Sequence, residues 1–342
     1  MIHQALAHRA PARKKTGGKD GAKWPLRMVL GATRQQVLRY GENPHQAGVL
    51  YRWAGVGGGA GGGGEPPAQL HGKELSFNNL LDLDAAVRLV SAFKRPSAVV
   101  LKHNNPCGAA SADSLTDAFR RAHGADSMSA FGGVVGLNRP VDREAAQAIV
   151  DSGFLECVVA PDFRPEALQI LRAKKNLRII KDPAARTPVA RCVDLKQVAG
   201  GLLAQDPDAF RKGPPHWRLV SGARPSETQQ KDLQFAWTVA RFARSNAVII
   251  AKGERTVGIG AGLTSRVDSV RFALRKAGER AKGAVLASDG FFPKPDGPQA
   301  AVRAGVKAIV QPGGSVQDPQ VIQVAKKAGV TMLLTGKRHF LH

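Results

Sequence analysis

The sequence predicts an α/β protein made of two tandem subdomains. Short apolar runs of strand length alternate with segments whose apolar residues recur at helical spacing, which is the pattern of α/β domains. Each half of the chain carries its own set of strands and helices, which suggests an internal duplication. A stretch rich in Pro, Gly and charge separates the halves, and we predict that this linker covers residues 206–226.

The first half supplies several elements in order. We predict a disordered basic leader over residues 1–25, a first subdomain over 26–205, and a flexible loop at the glycine run 55–64. Helical spacing of apolar residues predicts a helix over 79–93. The later elements of this half are strands at 134–137 and 157–161 and a helix at 142–152.

The run Val99, Val100 and Leu101 is apolar throughout, which is typical of a central parallel strand. Asn105-Pro106 and Gly108 are expected to break the chain after this run. Ser111 or Asp113 is then expected to cap a helix over Leu115–His123.

The second subdomain is predicted over residues 227–342 and begins with a helix at 227–242. Its other elements follow from the same patterns: strands at 247–251, 256–259, 284–287, 308–310 and 331–334, and helices at 267–277 and 319–328.

Composition narrows the class of protein. The 342 residues are 43% hydrophobic and 23% charged, and no apolar run is long enough to span a bilayer. The three cysteines, Cys107, Cys157 and Cys192, are widely spaced and form no CxxC pair. This spacing argues against a disulfide framework or a structural zinc site and for a reducing compartment, so we expect a cytoplasmic protein without a metal site.

The net charge of +23 allows two interpretations. It could steer anionic small molecules into an enzyme, or it could form a nucleic-acid surface. Only 6% of the residues are aromatic, and the basic residues are not interleaved with Tyr or Phe as a stacking surface requires. We therefore expect no specific nucleic-acid partner, and a basic nucleic-acid adhesion protein is retained as an alternative from a different class.

Lys102 and His103 follow the apolar run 99–101 directly. Ligands of open α/β sheets dock at the carboxyl ends of strands. A Lys beside a His at such a place offers a fixed positive charge and a group that carries a proton near neutral pH. From the residues alone, a surface strand end with two polar residues remains an equal alternative.

Ten motifs, taken in order, resemble one family. Two of them read Leu-Arg-Tyr-Gly-Glu-Asn-Pro-His-Gln, at 38–46, and Leu-Lys-His-Asn-Asn-Pro-Cys-Gly, at 101–108. The others lie at residues 72–79, 129–133, 175–178, 245–247, 258–266, 287–293, 311–315 and 335–340. The chain, from about residue 26 to residue 342, resembles the transformylase part of the bifunctional purine-biosynthesis family AICAR transformylase/IMP cyclohydrolase.

The resemblance implies two tandem cytidine-deaminase-like subdomains with mixed sheets flanked by helices and without the deaminase zinc. It implies formyl transfer from 10-formyltetrahydrofolate, a cosubstrate, to the 5-amino group of AICAR, which gives FAICAR in IMP biosynthesis. It further implies a homodimer whose active sites are built from both subunits. No tightly bound cofactor is expected, and a monovalent cation near Asp289 is compatible with the resemblance.

The resemblance also assigns roles to residues. His103 would be the proton shuttle, Lys102 would hold the substrate phosphate and bias the protonation of His103, and Asn246 would orient the amino-carboxamide. The remaining assignments are the nucleotide phosphate for Arg39, Tyr40 and Arg338, the ribose for Asn79 and Glu156, the carboxamide for Arg266, and the folate for Met128, Phe131, Gly132, Pro293 and Asp296.

Four residues keep a structural alternative. Met128 and Phe131 could be core residues, and Arg178 is better explained as a surface ion pair. His45 could be active or could be a satisfied turn histidine.

The sequence also departs from the family pattern. The cyclohydrolase domain that normally comes first is not present, so we expect no IMP cyclohydrolase activity and a separate cyclohydrolase. Lys294 stands where the family has Phe, and Leu263 stands where it has Gln. Whether these changes impair activity stays open, so a catalytically weak paralogue that binds AICAR is a second alternative.

Overall fold

The computed structural model describes residues 24–53, 67–187, 193–208 and 216–342. Residues 1–23 of the predicted leader, the glycine run 55–64, Cys192 and part of the predicted linker lie outside these ranges. Among the described residues, no helix has the length and apolar character needed to cross a membrane.

The chain alternates strands and helices throughout. The strands are β1 (Ala32–Leu38), β2 (Gly48–Trp53), β3 (Ala68–His71), β4 (Ser97–Lys102), β5 (Asn105–Ser111), β6 (Val134–Leu137), β7 (Cys157–Ala160), β8 (Arg178–Lys181), β9 (Asp194–Val198), β10 (Gly201–Gln205), β11 (Arg218–Ser221), β12 (Val248–Ala251), β13 (Thr256–Gly260), β14 (Val285–Ser288), β15 (Ala308–Gln311) and β16 (Thr331–Leu334). The helices are α1 (Phe77–Val90), α2 (Leu115–His123), α3 (Ser127–Ala130), α4 (Arg143–Asp151), α5 (Pro165–Arg172), α6 (Glu227–Ala240), α7 (Arg266–Ala277), α8 (Asp296–Arg303) and α9 (Asp318–Lys327).

Two six-stranded mixed sheets have the same strand order. The first runs β3-β8-β7-β6-β4-β5 and the second β11-β16-β15-β14-β12-β13. In both orders the second to fourth strands form a parallel trio, β6–β8 or β14–β16, and the pairs on either side of the trio are antiparallel. The predicted α/β class with two tandem subdomains is therefore confirmed.

The duplication extends to individual positions. An offset of 150 residues carries α1 onto α6, with Ser76 and Ser226 forming matching capping boxes at the two helix starts. The same offset relates Gly108 to Gly258, where an added Cβ would lie within about 2 Å of a helix carbonyl. The tight approach of β5 to α2, and of β13 to α7, depends on these two glycines.

The core lies where the two halves meet. Helices α1 and α6 pack against their own sheets and contribute residues to one shared apolar cluster. In this cluster Phe93, after α1, stacks on Phe235 of α6 with ring centroids 5.1 Å apart. Separate apolar clusters fill the space between each sheet and the helices on its opposite face. Burial on both faces explains why the central strands are continuously apolar.

The segment around Lys102 corrects two expectations. Strand β4 is central and buried, but it pairs antiparallel with both β5 and β6, because an apolar run predicts burial and not strand direction. The chain does not break at residues 105–108, since these residues form β5. Pro106 is tolerated there because β5 is the last strand of its sheet. The cap of α2 is Ser114, which accepts from the Asp117 N–H, and not Ser111 or Asp113.

Several elements were not predicted. The strand β11 lies inside the range 206–226 and forms an edge of the second sheet, while the subdomain boundaries themselves remain predictions. Two hairpins, β1–β2 and β9–β10, form separate two-stranded sheets. The helices α3, α5 and α8 are too short to show a clear helical period in the sequence.

The two sheets adjoin through β5 and β13, which run antiparallel at the bridge between Ala110 and Arg255. The Ser111 N–H donates to the Glu254 carbonyl at 2.9 Å, and the Ala109 N–H donates to Thr256 Oγ1 at 3.0 Å. Four successive antiparallel pairings lead from β4 through β5, β13 and β12 to β14, and β15 and β16 run parallel to β14. The carboxyl end of β4 and the carboxyl ends of β14–β16 therefore lie on one side of the molecule. We call this side the common edge.

Candidate active site

A two-residue turn joins β4 to β5 at the common edge. His103 and Asn104 both have positive φ, 53° and 58°, which is the geometry of a tight hairpin turn. The Asn104 N–H donates to Asp82 Oδ1 of α1 at 2.6 Å. Burial raises the pKa of Asp82, and the hydrogen bonds from Asn104 and His103 offset this effect only in part. Asp82 thus holds the backbone of the turn, and the turn exposes the His103 side chain.

Lys102 is half-buried beside this turn and has a defined partner. Its Nζ donates to the Phe131 carbonyl at 2.9 Å. Phe131 is 62% exposed and Met128 is 85% exposed, so neither is a core residue. Gly132 has φ 72° and donates its N–H to the Phe154 carbonyl at 2.8 Å, which holds Phe131 against Phe154. The ammonium of Lys102 therefore lies next to a partly exposed apolar surface.

A polar cluster continues along the first sheet. Arg178 is 7% exposed and contacts Glu156, whose side chain is 36% exposed, at 2.5 Å. The predicted ion pair is therefore present, but Arg178 itself is buried and does not lie on the surface. Its Nε donates to the Glu74 carbonyl at 2.9 Å. Asn79 closes the capping box of α1 with its Oδ1.

Arg39 lines a cleft together with residues 73–76, which lead into α1. Its guanidinium donates to the Tyr40 hydroxyl at 2.9 Å and lies over the Tyr40 ring. His45 is exposed in the turn that follows, and Asn78 links α1 to this segment through the Glu42 carbonyl. Arg39 and Tyr40 thus face the segment that carries Asn79.

The second subdomain contributes a network around Arg266, which is 7% exposed. Its guanidinium donates to Asn246 Oδ1 at 2.6 Å, to Ser288 Oγ at 2.8 Å and to the Asp289 carboxylate. Asn246 Nδ2 donates to the carbonyls of Leu263 and Thr264. Both ends of the Asn246 amide are therefore held, and its orientation is fixed.

The residues near the carboxyl terminus close this network. The His339 N–H donates to the Asp289 carbonyl at 3.0 Å. Arg338 is exposed and lies over the Phe340 ring, 4.7 Å from its centroid. Pro293 is exposed, and Asp296 begins α8 with its carboxylate accepting from the Gly297 N–H.

The two described cysteines do not supply a nucleophile. Burial raises the pKa of Cys107 to about 11 and that of Cys157 to about 12. Within the described part of the chain, no group of three or more His, Cys, Asp or Glu is arranged to hold a metal ion.

Comparison with known proteins decides the family. The model of the family "AICARFT/IMPCHase bienzyme" matches residues 1–276. The chain belongs to the AICARFT/IMPCHase bienzyme family. The predicted family resemblance is thereby confirmed.

Three relatives share the name "Bifunctional purine biosynthesis protein PurH". The protein of Cyanothece sp. is 51% identical over 319 residues, which cover 93% of this chain and 61% of the relative. Those of Sorangium cellulosum and Myxococcus xanthus are 49% and 45% identical and cover 97% and 100% of this chain. The chain spans 63% and 68% of their lengths, respectively. A structure of RibD from Acinetobacter baumannii, with TM-score 0.25 over 32% of the chain at 24% identity, is too dissimilar to support an argument.

In this AICARFT/IMPCHase chain the predicted site residues form three groups on the common edge. Hydrogen bonds join Arg39 to Tyr40 and Asn246 to Arg266, and Lys102 lies beside Phe131. The Asn105 side chain accepts from the Arg244 N–H at 2.9 Å, which ties the His103 hairpin to the segment that precedes Asn246. No hydrogen bond within the described ranges joins His103 to Asn246 directly.

Sequence reasoning missed Asp82, the residue that fixes the His103 turn. A signal was nevertheless present, because Asp82-Leu83 and Asp232-Leu233 are related by the 150-residue offset of the duplication. Asp232 accepts from the Gly253 and Glu254 N–H groups at 3.0 and 2.6 Å, as Asp82 accepts from its own turn. Comparison of the two halves of the sequence would have indicated both carboxylates.

Proposed function

We propose that the chain transfers the formyl group of 10-formyltetrahydrofolate to the 5-amino group of AICAR and so produces FAICAR. The observation that carries the proposal is the exposed His103 turn, beside the tethered Lys102, in a member of this family. The relatives' names and the family description support the same activity. Because the chain spans about three-fifths of the first relatives, the activity is inferred for this chain from its residues.

The reaction requires a proton acceptor at the nucleotide. The 5-amino group of AICAR is a poor nucleophile because its lone pair is delocalised into the ring and the carboxamide. A base must take its proton as the nitrogen attacks the formyl carbon, and the departing folate nitrogen must receive a proton. His103 serves as this shuttle, since it is exposed on a turn fixed at its base. Lys102 adds a positive charge beside the reacting groups, where an oxyanion develops.

Three sets of residues hold the nucleotide. Arg39, Tyr40 and Arg338 bind its phosphate, because guanidinium and phenol groups donate hydrogen bonds to phosphate oxygens. Asn79 and Glu156 contact the ribose. Asn246 orients the amino-carboxamide, and Arg266 acts through Asn246, because its guanidinium is already engaged by Asn246, Ser288 and Asp289.

The folate lies against the exposed surface next to Lys102. Met128 and Phe131 offer apolar area, and Gly132 lets the backbone turn away from the ligand. Pro293 and Asp296 complete this side, with Asp296 directed to the pterin amino groups. Folate leaves after each turnover as a cosubstrate, so no tightly bound cofactor is part of the proposal.

A homodimer with shared sites accompanies this proposal. In the hairpins β1–β2 and β9–β10, strands β1 and β10 are exposed along almost their whole length, including Val37 and Leu203, and Tyr51 of β2 is exposed as well. An isolated two-stranded hairpin is marginally stable in water, so these hairpins require a partner surface. A second copy that covers them would also place residues of one subunit near the site of the other. A cytoplasmic location rests on the cysteine spacing.

A monovalent cation near Asp289 fits one observation. Asp289 is fully buried, and its Oδ2 has no hydrogen-bond partner among the described residues. A buried carboxylate oxygen requires a donor or a cation. Asp289 would contribute this oxygen to the cation, which would supply charge balance near Arg266 and Asn246.

Steady-state assay of the purified protein with AICAR and 10-formyltetrahydrofolate tests the function. We expect FAICAR to form at a rate that depends on both substrates, with the product identified by mass. AICAR binding without turnover would instead support the non-catalytic paralogue. A gel shift with strong salt dependence and no AICAR binding would favour the nucleic-acid protein.

A further inference from the structure

One ion pair joins the two subdomains close to the folate-side residues. Lys276 Nζ, in the last turn of α7, lies 2.6 Å from Asp126 Oδ2, in the segment before α3. The two side chains are 30% and 17% exposed. The pair between Lys282 and Glu279 is 71% and 86% exposed, so the inter-subdomain pair is much better shielded from solvent.

The short turn that follows α7, Gly278–Ala281, makes a second set of contacts with this segment. Arg280 donates to the Gly124 and Ala125 carbonyls at 3.4 and 3.3 Å. Asp126 also caps α3, because its carboxylate accepts from the N–H and the hydroxyl of Ser129 at 3.2 and 2.7 Å. We call residues 124–131 the strap. Side chains of the second subdomain thus contact the beginning of the strap, which is a segment of the first subdomain.

The strap leads directly to the candidate active site. It carries the exposed Met128, and it ends at Phe131, whose carbonyl accepts the hydrogen bond from Lys102. Lys102, Asp126 and Lys276 line one cleft between β5, β13 and the strap. A continuous chain of contacts therefore runs from Lys276 through Asp126 and α3 to the ammonium of Lys102.

The charges in this cleft stabilise the ion pair between Lys276 and Asp126. Burial raises the pKa of Asp126, but the hydrogen bonds from Lys276 and Ser129 outweigh it and hold the pKa below its usual range. The carboxylate is therefore ionised at neutral pH. Among the described residues that line the cleft, Cys107 carries the one thiol, and burial and the Asp126 charge raise its pKa, so it is not a nucleophile there.

We propose that Lys276 is a positioning residue: through Asp126 it orders the strap, and through the strap it fixes Lys102 and the folate-side surface. The kinetic part of this inference rests on the proposed function. The second subdomain would then act on both substrates. It would hold the nucleotide with Asn246 and Arg338, and it would set the folate side of the first subdomain with Lys276.

Hydrogen exchange of the full chain tests the ordering step without any assay of activity. In Lys276→Met we expect the amides of residues 124–131 to exchange at least about tenfold faster than in the parent. Asp126→Asn should give the same pattern, because Asn keeps the oxygen that caps α3 and loses the charge. Lys282→Met, which removes an exposed ion pair, is the matched control and should leave the strap unchanged.

Kinetics then test the consequence for the reaction. We expect Lys276→Met to raise the KM for 10-formyltetrahydrofolate about tenfold, because small displacements of binding groups have large effects. The KM for AICAR should change less than about twofold, and Lys276→Arg should restore the folate KM. The proposal would be overturned if hydrogen exchange of the strap were unchanged in Lys276→Met and Asp126→Asn. Equal increases in the KM values for folate and for AICAR would also overturn it. A parent protein without formyl transfer would refute the proposed function, and the exchange comparison would still decide whether Lys276 orders the strap.

Discussion

The molecule contains the same hairpin turn twice, and only the first copy carries a histidine, the candidate proton shuttle. In the first subdomain Lys102 precedes the pair His103-Asn104, and in the second Lys252 precedes Gly253-Glu254. An aspartate of the preceding helix accepts the turn N–H groups in both copies. The second copy has Gly at the first turn position, with φ 64°, while the first has His at φ 53°. A side chain with positive φ is tolerated there at a conformational cost, which is common at functional sites.

The two copies also lie on opposite sides of the molecule. Because β5 and β13 run antiparallel, the ends of β4 and β12 face in opposite directions, and only the end of β4 is at the common edge. The second subdomain meets this edge with the start of β12, at Asn246, and the end of β14, at Asp289. The same framework thus occurs twice, and the candidate site lies at non-equivalent ends of the two sheets.

The largest expected effect, on kcat, comes from substitution of the first residue of each turn. His103→Ala should lower kcat at least about 10²-fold with little change in AICAR affinity, because the proton shuttle is lost and the binding groups remain. Gly253→Ala should leave kcat unchanged and lower the free energy of unfolding by about 1 kcal/mol, because Ala is strained at positive φ. Steady-state kinetics and chemical denaturation of both variants check the pair. Parental turnover in His103→Ala would remove His103 from the mechanism.

The second prediction compares an arginine at the common edge with one on the far side of the second sheet. Arg338→Ala should weaken AICAR binding about thirtyfold, since loss of a charged hydrogen bond costs about 2 kcal/mol. Arg303→Ala is the matched control, because Arg303 is exposed at the end of α8, just before β15 begins on the far side from the common edge. Calorimetric titration with AICAR measures both variants. If the two bind equally well, Arg338 is not part of the phosphate site.

The aspartates beneath the turns allow a smaller but sharper test. Asp82→Ala and Asp232→Ala each leave turn N–H groups without an acceptor and should each cost about 1–3 kcal/mol of stability. We expect kcat to fall about tenfold in Asp82→Ala alone, because only that turn positions a reacting group. Denaturation and kinetics on the same preparations provide the measurement. A comparable loss of kcat in Asp232→Ala would show that the second turn also serves the reaction.

The sequence predicted the class, the tandem organisation and most buried strands, because each depends on local apolar periodicity. It did not predict the direction of β4 or the strand β5, since pairing is decided by contacts between distant segments. Arg178 illustrates the same limit: its charge suggested the surface, but Glu156 and the Glu74 carbonyl compensate its burial. The proposed roles of Lys102 and His103 came from the family motif, and a comparison of the two halves of the sequence would have indicated Asp82. Lys276 required the three-dimensional arrangement, because its partner Asp126 is distant in the sequence.

The smallest effect concerns the pH dependence that Asp82 gives to the first turn. Since burial raises the pKa of Asp82, the folded state binds this proton more tightly than the unfolded state, whose pKa is about 3.9. The contribution to stability is therefore complete below about pH 4 and is lost as the pH rises through the folded-state pKa. Asp82→Asn keeps an oxygen for the Asn104 N–H and removes the titration, so its stability should change less between about pH 4 and 7 than that of the parent. Denaturant midpoints across this range decide the point, and a steeper loss in the variant would mean that the charged carboxylate stabilises the turn.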